Sequence, residues 1–251
     1  MLSETIPLLA QMAWIDEIRP RTNAYRVLMV ICAVVIAVAI VAGRRLADRP
    51  GQRVLEHAIG WSTIGVQLFA LVWRNLPGNF DMQEALPLQL CRVVAWACAI
   101  AMITRARWAL SLTFFWGLGL SSMGFITPVV RTGPVSVSFW LFWAAHVQIV
   151  GIALYQIIVH GYGPWPRDLR FAVIASVVYV AVVVPVNLML NVDYGYLGAS
   201  AYDRTTLAGR MGAFPLRAVK MVAMGMVWML LLYLIARMVG TIKERRTAQV
   251  A

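Results

Sequence analysis

The sequence predicts an all-α integral membrane protein, a single bundle of seven transmembrane helices. Of the 251 residues, 61% are hydrophobic and 13% charged, a balance that a water-soluble domain of this size has no use for. Apolar runs of about 20 residues, enough to cross roughly 30 Å of hydrocarbon, recur between charged or Pro/Gly-rich breaks. These runs are continuous, not alternating. Lipid offers no partner to backbone N–H and C=O groups, so they are helices and not barrel strands.

The first 24 residues hold Glu4, Asp16 and Glu17 with no basic residue before Arg19, the wrong charge order for a secretory signal. Their apolar residues suit either a helix lying on the membrane surface or an irregular tail. The expected spans are 25–43, 54–72, 86–104, 108–127, 135–159, 169–190 and 215–238, which makes 25–240 one membrane domain and 241–251 a basic cytoplasmic tail. In the fourth span Gly117, Ser121 and Gly124 recur at helical spacing, a small-residue stripe that lets a neighbouring helix come close.

The net charge of +11 does not point to nucleic acid, because the 22 Lys and Arg are spread over loops instead of gathered on one face. Nine lie on loops of the N-terminal side and twelve on the opposite side, which orients the N-terminus outside and the C-terminus in the cytoplasm, in the cell membrane. Three cysteines without a CxxC pair and three scattered histidines give neither a disulfide framework nor a metal site, and no glycine-rich nucleotide loop is present. The sequence therefore implies no cofactor.

Ionisable groups inside spans are costly, so each is a functional candidate. No Asp or Glu falls in mid-span, which argues against a proton pump and leaves Lys220 without a retinal-type counterion. What remains is Cys91 and Arg92 early in the third span and His146 in the fifth, with Gln67, Gln89, Gln148, Tyr179 and Asn187 as weaker polar groups. A thiol and an imidazole are a nucleophile and a base. Pro87 in a first helical turn would set Cys91 near the positive end of a helix dipole, beside the Arg92 cation. Arg92 either snorkels to the headgroups or faces inward. The helical neighbours of His146 are Phe139, Phe142, Trp143 and Val150, so its partner is expected on another helix. One geometric difficulty follows from a rise of 1.5 Å per residue: Cys91 would sit about 7 Å into its span and His146 about 16 Å into its own.

LPLQLC (86–91), FFWGLG (114–119) with TP (127–128) closing the same span, FWAAHVQIV (142–150) and NVDYGYLG (191–198) together resemble the YwaF-like integral membrane proteins. More distantly they resemble the animal transmembrane lipid acyltransferase of the same superfamily. The resemblance implies a seven-helix protein that moves fatty acyl groups onto lysophospholipids, with Cys91 and His146 in the positions taken as catalytic. Gln89 stands where members commonly carry His, and Val129, Val130 and Arg131 stand where many carry an acidic residue.

The function these readings predict is a membrane-embedded acyltransferase acting on phospholipid or lysophospholipid. Cys91 is the nucleophile and His146 the base, with Arg92, Gln89, Gln148 and Asn187 on the substrate. Membrane lipid is the partner, and an acyl lipid or acyl-CoA the donor. The other readings open to the sequence are a non-enzymatic lipid or small-solute transporter and an accessory membrane subunit.

Overall fold

The computed structural model describes residues 18–20, 22–128, 130, 132–200 and 207–250, those at 207 and 241–250 by their backbone only. The expected surface helix of the first 24 residues therefore lies largely outside the described residues, as do Val129 and Arg131. All regular structure among the described residues is helical.

Helix α1 (Asn23–Arg45) opens on Thr22, whose hydroxyl accepts the Tyr25 N–H at 3.2 Å. Helix α2 (Pro50–Asn75) opens on a proline, which fits a first turn where no N–H donor is needed. A four-residue helix, α3 (Met82–Ala85), is capped by Asp81 and separated by an extended break from α4 (Leu90–Thr104). Then come α5 (Arg107–Leu112), α6 (Val137–Ile158), α7 (Pro166–Leu190), the short α8 (Leu207–Arg210) and α9 (Leu216–Val250). Pro166 opens α7, and its third residue, Asp168, accepts the Trp165 N–H at 2.7 Å. The backbone of α9 continues unbroken through 241–250, the stretch expected as a tail.

Among the described residues, six helices are long and apolar enough to cross a membrane: α1, α2, α3 with α4 (Met82–Thr104), α6, α7 and the first part of α9 (Leu216–Gly240). The stretch expected as a fourth span differs from these. After α5 it widens into a π-helical segment (Thr113–Leu120) and then tightens into a 3-10 segment (Ser121–Phe125). Changing pitch strips backbone carbonyls of their regular partners, and in an apolar bundle those carbonyls need others. The Gly119 carbonyl accepts the Trp228 indole N–H at 2.8 Å, and the Phe125 carbonyl accepts the Tyr25 hydroxyl at 2.5 Å.

Helix α4 is the axis of the bundle. Its Val94, Ala95, Cys98, Ala99, Ala101 and Met102 are wholly buried, and α2, α6 and the 107–125 segment pack around it. Small residues set the closest approach: a Cβ on Gly60 of α2 would stand 2.6 Å from Ile103 Cγ1. The outer faces are apolar. Val27, Val30, Ile31, Val34, Val35 and Val38 of α1 are each more than half exposed, a stripe suited to lipid and not to water.

Candidate active site

The site begins at the break between α3 and α4. Pro87 disfavours helical geometry in the residue before it, and Leu86 is extended (φ −83°, ψ 143°). Helix α4 therefore starts at Leu90 and not at 86, and Pro87 stands in the break instead of in the first turn. This correction moves Cys91 closer to the helix end than expected, to the second helical residue. The first amide of α4 with a backbone bond is that of Arg92, to the Gln89 carbonyl at 2.9 Å, so the N–H groups of Leu90 and Cys91 precede the ladder.

The break is clamped by the 191–198 loop. Leu86 N–H donates to the Tyr194 hydroxyl at 3.2 Å, and that hydroxyl donates to the Met82 carbonyl. Burial pushes the Tyr194 phenol above its usual range, which keeps it a donor. Gly195 N–H donates to Gln89 Oε1 at 3.0 Å, Asp193 N–H to Gln83 Oε1 at 2.9 Å, and the Tyr179 hydroxyl to the Leu88 carbonyl at 2.7 Å. Gly195 has φ +66°, and a Cβ there would stand 2.6 Å from Tyr179 Oη, so glycine is required twice over. Asn187 holds the loop from below: its amide accepts the Tyr194 N–H at 2.8 Å and donates to the Tyr194 carbonyl at 2.9 Å. Asp193 and Arg217, each 1% exposed, pair at 2.7 Å beneath it.

Arg92 is 9% exposed and turns inward. Its guanidinium bonds the Glu84 carboxylate and carbonyl and reaches the Leu86 carbonyl at 3.2 Å, while Arg74 meets the same carboxylate at 3.3 Å. The cation thus ties α3 to the first turn of α4.

Cys91 and His146 come together. The thiol lies beside the imidazole and the Ser121 hydroxyl, close enough for their charges to interact but without a hydrogen bond of good geometry, and Ser121 Oγ is buried with no hydrogen-bond partner among the described residues. The depth difficulty shrinks because the membrane segment carrying Cys91 starts at Met82, nine residues before it, as Val137 stands nine before His146.

The imidazole is oriented from its own helix, contrary to the expectation that every partner would be elsewhere. His146 Nδ1 is 2.8 Å from the Phe142 carbonyl, one turn back on α6. A carbonyl only accepts, so Nδ1 carries the proton and Nε2 is left with its lone pair. The Phe142 ring lies against the imidazole with centroids 4.1 Å apart, and Phe125 meets it edge-on at 6.3 Å. Gly124 closes the remaining side, where a Cβ would overlap the ring at Cδ2. The three stripe residues of the 107–125 segment thus all face this region: Gly117 against Ile149, Ser121 beside Cys91 and Gly124 on His146.

Of the three cysteines, Cys91 is half-buried while Cys32 and Cys98 are buried, at 4% and 0% exposure. Gln89 and Asn187 are engaged by the 191–198 loop. Gln148 is two residues past His146, about 200° round the helix, and donates to Ser62 of α2 at 3.3 Å. Tyr179 was among the polar groups the sequence left inside the spans, whereas Ser121, Gly124 and Tyr194 were not singled out as site residues. The stripe spacing and the NVDYGYLG motif were the signals that could have found them.

No curated protein and no solved structure matches the chain. A family model does, over residues 20–233, a range that takes in the clamp, the cysteine and the histidine together, and the chain belongs to the TMEM164 family.

Proposed function

We propose that this protein is a membrane-embedded acyltransferase working on phospholipid and lysophospholipid through Cys91 and His146. The observation that carries this reading is the thiol meeting an imidazole whose Nδ1 proton is fixed on the Phe142 carbonyl, leaving Nε2 as the base. The LPLQLC and FWAAHVQIV motifs of YwaF-like proteins support the same assignment. The 107–125 segment is read as a seventh crossing, the N-terminus as outside and the C-terminus as cytoplasmic, in the cell membrane.

His146 Nε2 takes the thiol proton as Cys91 Sγ attacks the acyl carbonyl of a donor lipid or acyl-CoA. The N–H groups of Leu90 and Cys91, at the positive end of α4 and without an acceptor among the described residues, are placed to meet the developing oxyanion. The tetrahedral species collapses, the donor's oxygen or sulfur leaves with the proton from His146, and an acyl-cysteine thioester remains. An acceptor hydroxyl then gives its proton to Nε2 and attacks the thioester carbonyl, and the sulfur leaves and recovers that proton. Arg92 holds the turn that carries the nucleophile and lends positive charge to an approaching phosphate. Gln89 and Asn187 shape the substrate wall through the 191–198 loop, and Gln148 acts from the α2 side.

The test is covalent trapping. Purified protein in lipid nanodiscs, given an alkyne-tagged acyl donor, should form a hydroxylamine-sensitive adduct on Cys91. His146→Ala should slow its formation at least a hundredfold, and Cys91→Ala should abolish both adduct and transfer. Undiminished transfer by Cys91→Ala would exclude the reading.

A further inference from the structure

A second site lies at the other end of α4. Arg105, which caps this helix in the left-handed conformation (φ 55°), is fourteen residues beyond Cys91, about 21 Å at a rise of 1.5 Å per residue. With Arg107, Gln156, His160, Tyr162 and Trp165 it lines a cleft of about 370 Å³, and none of the residues lining the cleft is acidic.

The two carboxylates of this region stand behind the wall and aim the cations. Glu56, wholly buried, accepts Arg105 Nη2 on both oxygens at 3.0 and 2.9 Å, Arg53 at 3.1 Å and His160 Nε2 at 2.8 Å. Asp168 takes Arg107 through Nε at 3.0 Å and Nη2 at 2.5 Å. Three guanidinium groups thus answer two carboxylates. Arg105 and Arg107 remain 42% and 41% exposed, and among the described residues Arg105 Nε and Nη1 and Arg107 Nη1 have no hydrogen-bond acceptor. The Tyr162 hydroxyl is buried beside Asp168 without a hydrogen bond of good geometry. Burial, and then the Asp168 charge, push its phenol above the usual range, so it stays protonated and able to donate. Trp165, 56% exposed, and Trp108, 45% exposed and next in sequence to Arg107, give the rim the aromatic character found at headgroup level.

We propose that this cleft binds a phosphate group, supplied by the headgroup of an anionic phospholipid at that end of the bundle or by a soluble phosphate ester. Two guanidinium groups fixed from behind by carboxylates present preset donor edges, the arrangement that recognises phosphate in two-point contact. The site stands apart from Cys91 and needs no acyl chemistry there.

The experiment measures saturable thermal stabilisation of the full-length protein in neutral detergent micelles. The probes are dioleoyl phosphatidic acid, dioleoyl phosphatidylcholine, inorganic phosphate and glycerol 3-phosphate. Phosphatidic acid should bind at least tenfold tighter than phosphatidylcholine, and the Arg105→Gln/Arg107→Gln double variant should lose at least tenfold in affinity. If inorganic phosphate or glycerol 3-phosphate matches phosphatidic acid, the phosphate site stands and its source is soluble. If they fail while phosphatidic acid binds, the source is the lipid. Should the arginine variant not accumulate folded, Tyr162→Phe serves in its place, with at least a threefold loss expected. Equal affinity for both lipids without phosphate binding, or unchanged affinity in the folded variants, would overturn the proposal.

Discussion

Gly124 lies against the imidazole of His146, where a Cβ would overlap Cδ2 and stand 2.5 Å from Nε2, with no room between them for a single methyl group. The glycine sits where the 107–125 segment has tightened into a 3-10 turn, and the ring it touches is held by the Phe142 carbonyl on the far edge. Gly124→Ala must push one of the two aside. Overpacking of this kind costs about 1–3 kcal/mol, and an ångström of displacement in a reacting group is worth about a hundredfold in rate. The variant should therefore fold, melt somewhat earlier and lose acyl transfer by about that factor, as checked by initial rates against thermal unfolding in the same micelles. Unchanged rates would mean that His146 is not in the reaction.

Alkylation separates the three thiols. Cys91 is half-buried at a helix start, touching a base, whereas Cys32 and Cys98 are buried in apolar surroundings. Iodoacetamide on native protein should label Cys91 first, with the other two protected until unfolding, as read by peptide mass spectrometry. His146→Ala should slow labelling of Cys91 about tenfold or more, since the thiolate is the reactive form. Equal labelling of all three would remove the distinction on which the site rests.

Composition alone made the fold class legible, and six membrane-length helices appear where continuous apolar runs stand in the sequence. The 107–125 stretch was equally apolar, but its two changes of pitch depend on Trp228 and Tyr25 reaching its carbonyls from distant elements. No local pattern encodes that. Cys91 and His146 were legible as chemistry, because ionisable groups in hydrocarbon are rare. Their meeting was not, since it turns on a helix start that Pro87 moves from 86 to 90 and on α3 lengthening the membrane segment. The histidine's own-helix hydrogen bond is not legible from side-chain spacing, because its acceptor is the Phe142 backbone carbonyl.

Tyr194→Phe tests the clamp. Its hydroxyl takes the Leu86 N–H, in the break before Cys91, and gives to the Met82 carbonyl at the start of α3. Without it two backbone groups lose a partner, a cost of roughly 1–3 kcal/mol each when buried. The variant should unfold earlier and transfer acyl groups more slowly, while Tyr233→Phe, on a half-buried position of α9, should do neither. Thermal unfolding and initial rates on both variants check this. A Tyr194→Phe protein as stable and as active as the parent would show that the loop does not position the nucleophile.

Glu56→Gln tests the opposite end of the bundle. The carboxylate is wholly buried and receives Arg53, Arg105, His160 and the Tyr155 hydroxyl, the last at 3.3 Å. Neutralising it leaves two guanidinium groups facing each other across an amide, and removing one partner from a buried ion pair costs about 3–5 kcal/mol. Both arginines are more than two-fifths exposed, so water recovers part of this and the lower end of the range is expected. Adding Arg105→Leu to Glu56→Gln should restore part of the loss, because the pair then disappears together instead of leaving a charge behind. Unfolding midpoints of the single and double variants decide the matter. A double variant less stable than the sum of its parts would mean that Arg105 supports the fold through contacts other than this carboxylate.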